Sequence, residues 1–330
     1  MNRLQRAVAV AVPALSLSLV AACGGGGSGS GSGSATINFG LVQSQDYIHA
    51  MPTLVAQAQG FFSDEGLKVK EVDFSAGSDL AKAIAGGSVD AAEATGLDAV
   101  AGASHGIGTQ AFFGTYQKSP MALIVKSGSS ISGFADLAGK KVGISAAGSM
   151  TDYILRAALA AAKVDFKSVT EVPLGAPSAQ IAALAKGDID AYLLPINFGL
   201  LEEANGTGKI AQTAADVLGD DDQFGVLIAT KDYISGHASS LVKLTSAYSK
   251  AIEWMKSNED GTVKIAVDKL ALPEAVAKKT YEAYIGNFTP DGAINATGLA
   301  NYAKAIPELG IGATAPAESD YLNTSITSGR

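Results

Sequence analysis

One cysteine, Cys23, is all that the 330-residue chain contains, and that scarcity removes whole classes of chemistry. A single thiol cannot build an internal disulfide, and after the first 23 residues no cysteine remains for thiol catalysis or a metal site. Arginine is almost as rare: Arg3, Arg6, Arg156 and Arg330 are the only four, so no multi-arginine clamp is available. The net charge is −8. An acidic balance without Lys/Arg clusters argues against nucleic acid as a partner, because phosphate neutralisation needs clustered cations. His49, His105 and His237 are scattered, with no His-x-x-x-His or paired-acid spacing. Each reads as surface or core rather than ligand, and no metal or cofactor is expected. No P-loop occurs, and residues 102–108 lack the strand–turn–helix order of a dinucleotide site. Beyond the leader no run of about 18 apolar residues could cross a bilayer.

What is present begins with that leader. Arg3 and Arg6 precede an apolar stretch, residues 7–19, too short to span comfortably. It closes on Leu19-Val20-Ala21-Ala22-Cys23, which resembles a bacterial lipoprotein box. That resemblance implies cleavage before Cys23 and acylation of its thiol; an ordinary secretory signal with an incidental cysteine is the alternative. Residues 24–34 are entirely Gly and Ser and read as a flexible tether reaching roughly 20 Å r.m.s.. Losing the leader removes two arginines and no acid, so the net charge moves from −8 to −10. The expectation is an exported domain, held at the envelope by a lipid anchor alone.

The remaining chain carries an internal echo at an interval of one hundred positions. Glu71-Val72-Asp73-Phe74-Ser75-Ala76-Gly77-Ser78 answers Glu171-Val172-Pro173-Leu174-Gly175-Ala176-Pro177-Ser178. The pattern resumes at Ala83-Ile84-Ala85-Gly86-Gly87-Ser88-Val89-Asp90-Ala91 and Ala183-Leu184-Ala185-Lys186-Gly187-Asp188-Ile189-Asp190-Ala191. Each copy reads as strand, Gly/Ser turn, short helix stopped by glycine, then a strand opening on Asp-Ala. Upstream, Asp46-Tyr47-Ile48 and Asp152-Tyr153-Ile154 form a further pair. Two similar α/β halves imply two lobes with a cleft between them.

Strand and helix signals alternate from Ile37 onward, the pattern of a mostly parallel sheet flanked by helices in each lobe. Strands are expected at 37–42, 67–72, 112–113, 122–125, 141–144 and 225–230, and helices at 51–62, 134–138 and 149–162. The end of the chain reads as helical at 238–257, 262–270, 273–284 and 297–305, packing back on the first lobe. The boundaries are 1–22 for the signal peptide, 23–35 for anchor and linker, and 36–126 for the first part of lobe I. Lobe II occupies 127–224, and 225–330 completes lobe I. Strands 121–126 and 225–230 read as a pair of crossovers joining the lobes.

At this point the residues resemble a known family. Gly60-Phe61-Phe62-Ser63-Asp64-Glu65-Gly66-Leu67 is similar to the signature after the first helix of the nitrate/sulfonate/taurine-type (SsuA/THI5-like) solute-binding proteins. The segment 134–143, Phe-Ala-Asp-Leu-Ala-Gly-Lys-Lys-Val-Gly, is similar to the entry into their second lobe. Ala146-Ala147-Gly148-Ser149-Met150-Thr151 and the Gly-x-Val/Ile-Asp-Ala turns match in kind. The resemblance spans Ile37 to about Pro307. It implies a two-lobed type II periplasmic-binding-protein fold whose monomer delivers a small solute to an ABC permease and its ATPase. Many family members carry a Trp-Glu-Pro-like element where this chain has Leu194-Pro195-Ile196-Asn197-Phe198, so the usual ligand classes do not transfer. A ligand sensor for a signalling receptor is the alternative. The related pyrimidine-precursor synthases depend on a cysteine-rich motif that is absent here, so no enzymatic activity is expected.

In open α/β sheets ligands sit beyond the carboxyl ends of the strands, which selects the candidate contacts. From the first lobe these are Ser44, Asp46, Tyr47, Gly77, Ser78, Thr95 and Tyr116; from the second, Gly148, Ser149, Thr151, Ser178 and Asn197. Ser/Gly loops at helix starts offer free N–H groups to an anionic or carbonyl oxygen without any arginine. Ser78 and Ser178 read first as helix caps and second as contacts; for Ser149 and Thr151 the small residues before them reverse that order. Tyr47 and Tyr116 are either clamping walls or half-buried structure. Asp46 either caps its helix or favours an amine or hydroxyl on the ligand and opposes a bare anion. Asp90 and Asp190 read as structural, bonding backbone amides, and Trp254 as core. Sulfonates, taurine, nitrate, pyrimidine precursors and aromatic acids stay open, with a small organic molecule carrying one acidic or carbonyl end preferred.

Overall fold

In the computed structural model, residues 35–42, 46–74 and 77–326 are described. The expectations placed on Cys23, the tether and Ser44 lie outside them. The first sheet begins with β1 (Ala35–Val42), α1 (Tyr47–Ala58), α2 (Phe61–Asp64), β2 (Leu67–Phe74), α3 (Gly77–Ala85), β3 (Ala91–Thr95), α4 (Gly96–Ser104) and β4 (Thr109–Tyr116). The second contains β5 (Met121–Lys126), β6 (Lys141–Ile144), α5 (Met150–Ala161), β7 (Thr170–Pro173), α6 (Pro177–Lys186), β8 (Ala191–Pro195), α7 (Ile196–Asn205), β9 (Gly208–Thr213) and α8 (Ala215–Leu218). The chain then returns through β10 (Gly225–Thr230), α9 (Lys231–Gly236), α10 (Ala238–Ser257), α11 (Glu259–Leu270), α12 (Glu274–Tyr284), α13 (Ala296–Ala305) and α14 (Glu318–Tyr321).

Two five-stranded sheets result, ordered β2-β1-β3-β10-β4 and β7-β6-β8-β5-β9. In each, the fourth strand is antiparallel to both neighbours while the first three are parallel. The fold is the expected mostly parallel α/β pair, with a corrected exchange point. Residues 121–126 were expected to leave as the last strand of the first lobe. They pair instead with β8 and β9, because Met121 to Val125 are buried and need a neighbour on each side. The chain therefore changes sheet across 117–120 and returns across 214–224. The links are loops and a short helix rather than strands.

The hundred-residue echo is one structural unit built twice. α3 and β3 are matched by α6 and β8, and Gly87 (φ 69°) and Gly187 (φ 84°) end the two helices in the left-handed region that glycine alone enters freely. Asp90 and Asp190 do the backbone work expected of them. The Asp90 carboxylate accepts from Asn38 N at 2.7 Å, and that of Asp190 from Lys141 N at 2.8 Å. Each aspartate thus ties the strand it opens to the next strand of its sheet. Asp90→Ala and Asp190→Ala should each lose about 1–3 kcal/mol by orphaning an amide, and add in the double variant because they serve different sheets. Urea denaturation of the three variants checks this. A loss well beyond the sum would contradict independent units.

The upstream echo is out of phase. Asp46 is the N-cap of α1, with its carboxylate accepting from Ile48 N, whereas Asp152 lies inside α5, which Ser149 caps. Helix α1 also starts at Tyr47 rather than at 51, and holds Pro52 in its interior. Of 134–138 only a single 3₁₀ turn forms, at Phe134–Asp136. The C-terminal helices pack on the first lobe as expected, α10 on α1 and α13 on α4, but α12 also packs on α7 of the second. Trp254 of α10 is half-buried against the core and abuts Gly261.

Candidate functional site

A cavity of about 390 Å³ lies between the sheets and is lined from both. That volume suits a small solute. Asp46, Gly77, Ser78, Thr95, Gly148, Ser149 and Thr151 of the expected contacts line it. The second lobe contributes through Met121 and one loop, Ser145 to Thr151, at the carboxyl end of β6. The first contributes the starts of α1 and α3, one side of α4 from Thr95 to His105, Phe224 and the segment Leu309-Gly310-Ile311.

The loop before α5 is built for close approach. Gly148 is left-handed (φ 73°), and a side chain there would press on Ile311 Cγ1 at 3.2 Å. The hydroxyls of Ser145, Ser149 and Thr151 stand 2.9 Å from one another in a ring. Ser149 also caps the helix by accepting from Asp152 N, and Thr151 Oγ1 accepts from Ser145 N at 2.9 Å. The N–H groups of Met150 and Thr151 have no intrahelical acceptor and sit at the positive end of the helix dipole. This wall suits an oxygen-rich end of a solute. Across the cavity, Thr95 and Asp98 cap α4 reciprocally. Gly77 leaves room for the Asp98 carboxylate, which any Cβ there would overlap.

Three expected contacts are core instead, and a fourth is on the surface. Tyr47 is fully buried, with its ring 5.8 Å from that of Tyr284. Tyr116 is 1% exposed and packs edge-on against Phe288 at 4.9 Å. Their hydroxyphenyl rings fill the space between β4, α1 and the C-terminal helices, so they cannot clamp a ligand. Asn197 is buried at the start of α7, where its backbone N–H donates to the Tyr284 hydroxyl at 3.3 Å; that hydroxyl in turn donates to Pro120 O. It fastens the first link between the lobes. Ser178 is exposed on α6, away from the cavity.

His49, expected in core or surface, lines the cavity at 3% exposure, and His105 lines it too. His237 stacks on Tyr233 at the surface. His49 Nε2 is 3.8 Å from Asp46 Oδ2 and its Nδ1 is 3.5 Å from Glu93 Oε1. Glu93 Oε1 also accepts the Thr115 hydroxyl at 2.7 Å. Burial dominates the electrostatics. It pushes the Asp46 carboxyl up to about 7 against the smaller opposing pull of Ile48 N–H, and holds His49 down at about 4. Glu93 is raised well above the usual carboxylate range by burial and, after the opposing Thr115 hydrogen bond, by the Asp46 charge. Asp98 is raised by burial despite its bonds to Thr95. Two signals could have found this group: His49 stands three residues after Asp46 on one helix face, and Glu93 is an acid within Ala-Ala-Glu-Ala-Thr.

Phe224 joins site to crossover. Its ring stacks on His49 at 5.4 Å, and the neighbouring Gln223 knots the return link. The Gln223 amide donates to Gly225 O at 2.9 Å and Tyr116 O at 3.3 Å, while its oxygen accepts from Asn295 N at 2.6 Å. Nothing in the residue type marks Gln223 in advance.

Among the described residues there is no group of three or more His, Cys, Asp or Glu arranged to hold a metal, and no helix long and apolar enough to cross a membrane.

Comparison with known proteins places this architecture. A Bacillus subtilis (strain 168) protein described as binding aliphatic sulfonates is 26% identical over 248 residues, covering 73% of this chain and 72% of its own. The aliphatic sulphonate binding protein SsuA of Escherichia coli superposes with a TM-score of 0.74 at 18% identity, over 89% of this chain and 94% of its own. The alkanesulfonate-binding SsuA of Xanthomonas axonopodis pv. citri, bound to MOPS, gives 0.73 at 18%, over 86% and 95%. Both share the fold. The sequence model of one family matches residues 48–261, from the first helix of the first lobe to the helices that follow the return. With two five-stranded sheets, the first completed by a strand that returns from beyond the second, and a cavity lined from both, the chain belongs to the NMT1/THI5-like family.

Proposed function

We propose that the protein is the extracytoplasmic solute-binding component of an ABC importer. In this reading it captures a small organic solute in the interlobe cavity and hands it to a membrane permease. The observation that carries the proposal is the cavity, walled by the hydroxyl-lined start of α5 from one lobe and the Asp46 side of the other. Such a device needs specificity and mobility rather than a nucleophile. Solute binding shifts an open–closed equilibrium by its differential affinity for the two states, and the links at 117–120 and 214–220, ahead of the segment that Gln223 ties to the first lobe, are where that motion would concentrate. The matched relatives are named as binding proteins, which supports a non-enzymatic role. Their aliphatic sulfonates support an oxygen-rich group on the solute, placed against Ser149 and Thr151. Cleavage before Cys23, acylation and the Gly/Ser tether would keep the domain at the envelope as a monomer.

A solute panel tests this by melting temperature and small-angle X-ray scattering. At least one solute should stabilise the protein, by about 2.7 kcal/mol at a hundredfold excess over Kd, and reduce its radius of gyration. Ser149→Ala is expected to weaken that solute about tenfold, the loss of one hydrogen bond to a charged or strongly polar oxygen. A panel spanning anions, zwitterions and amines that changed neither observable would refute the proposal.

A further inference from the structure

We propose that Asp46, with His49 and Glu93 behind it, forms a subsite for a protonated amine of the solute. The inference rests on the reading of the cavity as a solute site, and gives that solute a second, cationic end.

Three groups meet at the first-lobe end of the cavity, two from the start of α1 and one from β3. Asp46 and His49 line the cavity itself. Asp46 Oδ1 accepts from Ile48 N at 3.2 Å, but Oδ2 has no hydrogen-bond partner; nor do His49 Nδ1 and Glu93 Oε2. All three side chains are at least 97% buried, at exposures of 1%, 3% and 0%. Buried polar atoms are nearly always hydrogen-bonded in folded proteins, so three orphans around one cavity wall call for a partner. A primary ammonium group carries three N–H donors and a full charge. Donated to Asp46 Oδ2, it would form the stronger, charge-assisted kind of hydrogen bond.

The rest of the wall agrees. No lysine or arginine lines the cavity, and the acids Asp46 and Asp98 do. The other imidazole, His105, is already within 3.1 Å of Ile311 O through Nε2. A bare anion would therefore meet buried acids on this side with no cation to offset them. The opposite wall, with its hydroxyl ring and the open N–H groups of α5, takes oxygen. The arrangement selects a dipolar solute, amine toward Asp46 and oxygen-bearing group toward Ser149.

Matched probes test the assignment: β-alanine with propanoate and taurine with ethanesulfonate, which differ by one amino group, and 2-phenylethylamine with 2-phenylethanol, which exchanges the amine for a hydroxyl. Melting shifts and calorimetry should give, in at least one pair, tenfold or tighter binding of the amine. Asp46→Asn should erase that preference, whereas Ser149→Ala should weaken β-alanine and propanoate, or taurine and ethanesulfonate, alike. The His49 ring ¹⁵N shifts should move with the amine of the pair alone. Should Asp46→Asn not fold, Glu93→Gln carries the same expectation in reduced degree. Binding only by probes without an amine, or an amine preference that survives both variants, overturns the subsite and leaves the solute-binding role standing. No binding by any probe, or by the wider panel, removes both.

Discussion

Gly298→Val is expected to be strongly destabilising. A Cβ at Gly298 on α13 meets Asp222 C and Gln223 N at 2.5 Å, and those atoms are backbone. On the other side of the same segment, a Cβ at Gly96 would overlap Gln223 O and press on Leu299 Cδ2 at 2.7 Å. The return link is thus held between two glycines, on α4 and α13, while the Gln223 side chain ties it to Tyr116, Gly225 and Asn295. It has nowhere to go. Overpacking costs roughly 1–3 kcal/mol where neighbours can yield; with backbone on the far side, Gly298→Val and Gly96→Val should each exceed about 3 kcal/mol in urea denaturation. Gly236→Ala, where nothing lies within 4 Å, should by contrast be neutral or stabilising by roughly 0.5–1 kcal/mol. Equal effects at 298 and 236 would show that the link is not clamped.

The second large effect has the opposite sign. Asp46→Asn should stabilise the solute-free protein at pH 8. The folded Asp46 carboxyl sits at about 7 against an ordinary value of 3.8, so the folded state holds this proton more tightly than the unfolded one. Its contribution is present in full below pH 4 and is lost as pH rises to about 7. At about 1.4 kcal/mol per unit this amounts to roughly 4 kcal/mol above pH 7. Asparagine removes that penalty and keeps the cap, since Asn and Asp rank equally as N-caps. His49 works the other way. Held at about 4 rather than 6.5, it withdraws stability as pH falls from about 6.5 to 4. It does so in wild type and variant alike and cancels in their difference. The gap between the two proteins should therefore be widest at pH 8 and close near pH 4. Glu93 and the phenols of Tyr116 and Tyr284 feel the Asp46 charge; burial raises Glu93 well above the usual carboxylate range and keeps both phenols neutral through this range. Parallel denaturation series across pH decide it: a wild type as stable as the variant at pH 8 would mean that Asp46 is satisfied within the fold. A carboxylate that lowers stability while facing a cavity is what a binding role predicts, since function commonly trades against stability.

Much of the fold was legible because it depends on short-range pattern. The helix at 238–257 and the strands at 141–144 and 225–230 appear as read, and the two Asp-Ala turns close their sheets through Asp90 and Asp190. The repeat carried the two-lobe architecture because the same local code was written twice. The errors arose where pattern was ambiguous. Pro52 looks like a helix start, yet Asp46 caps α1 five residues ahead of 51. Strand 121–126 looks the same whichever sheet receives it. At the site, the loops at strand ends pointed to Gly77, Ser78, Thr95, Gly148, Ser149 and Thr151, which line the cavity, while the rings of Tyr47 and Tyr116 fill core.

Sequence alone determined the class of the molecule: the alternation of elements, the doubled unit, and, beyond residue 23, no thiol chemistry and no arginine clamp. Tertiary structure alone decided which buried groups face the cavity and which face core. Both environments exclude water, so both leave the same apolar or small-residue signature along the chain. The difference lies in partners brought from far away, such as Gln223 and Tyr116, 107 positions apart, or Glu93 and His49 across β3 and α1. Local periodicity records that a side chain is buried; only the packed fold records against what.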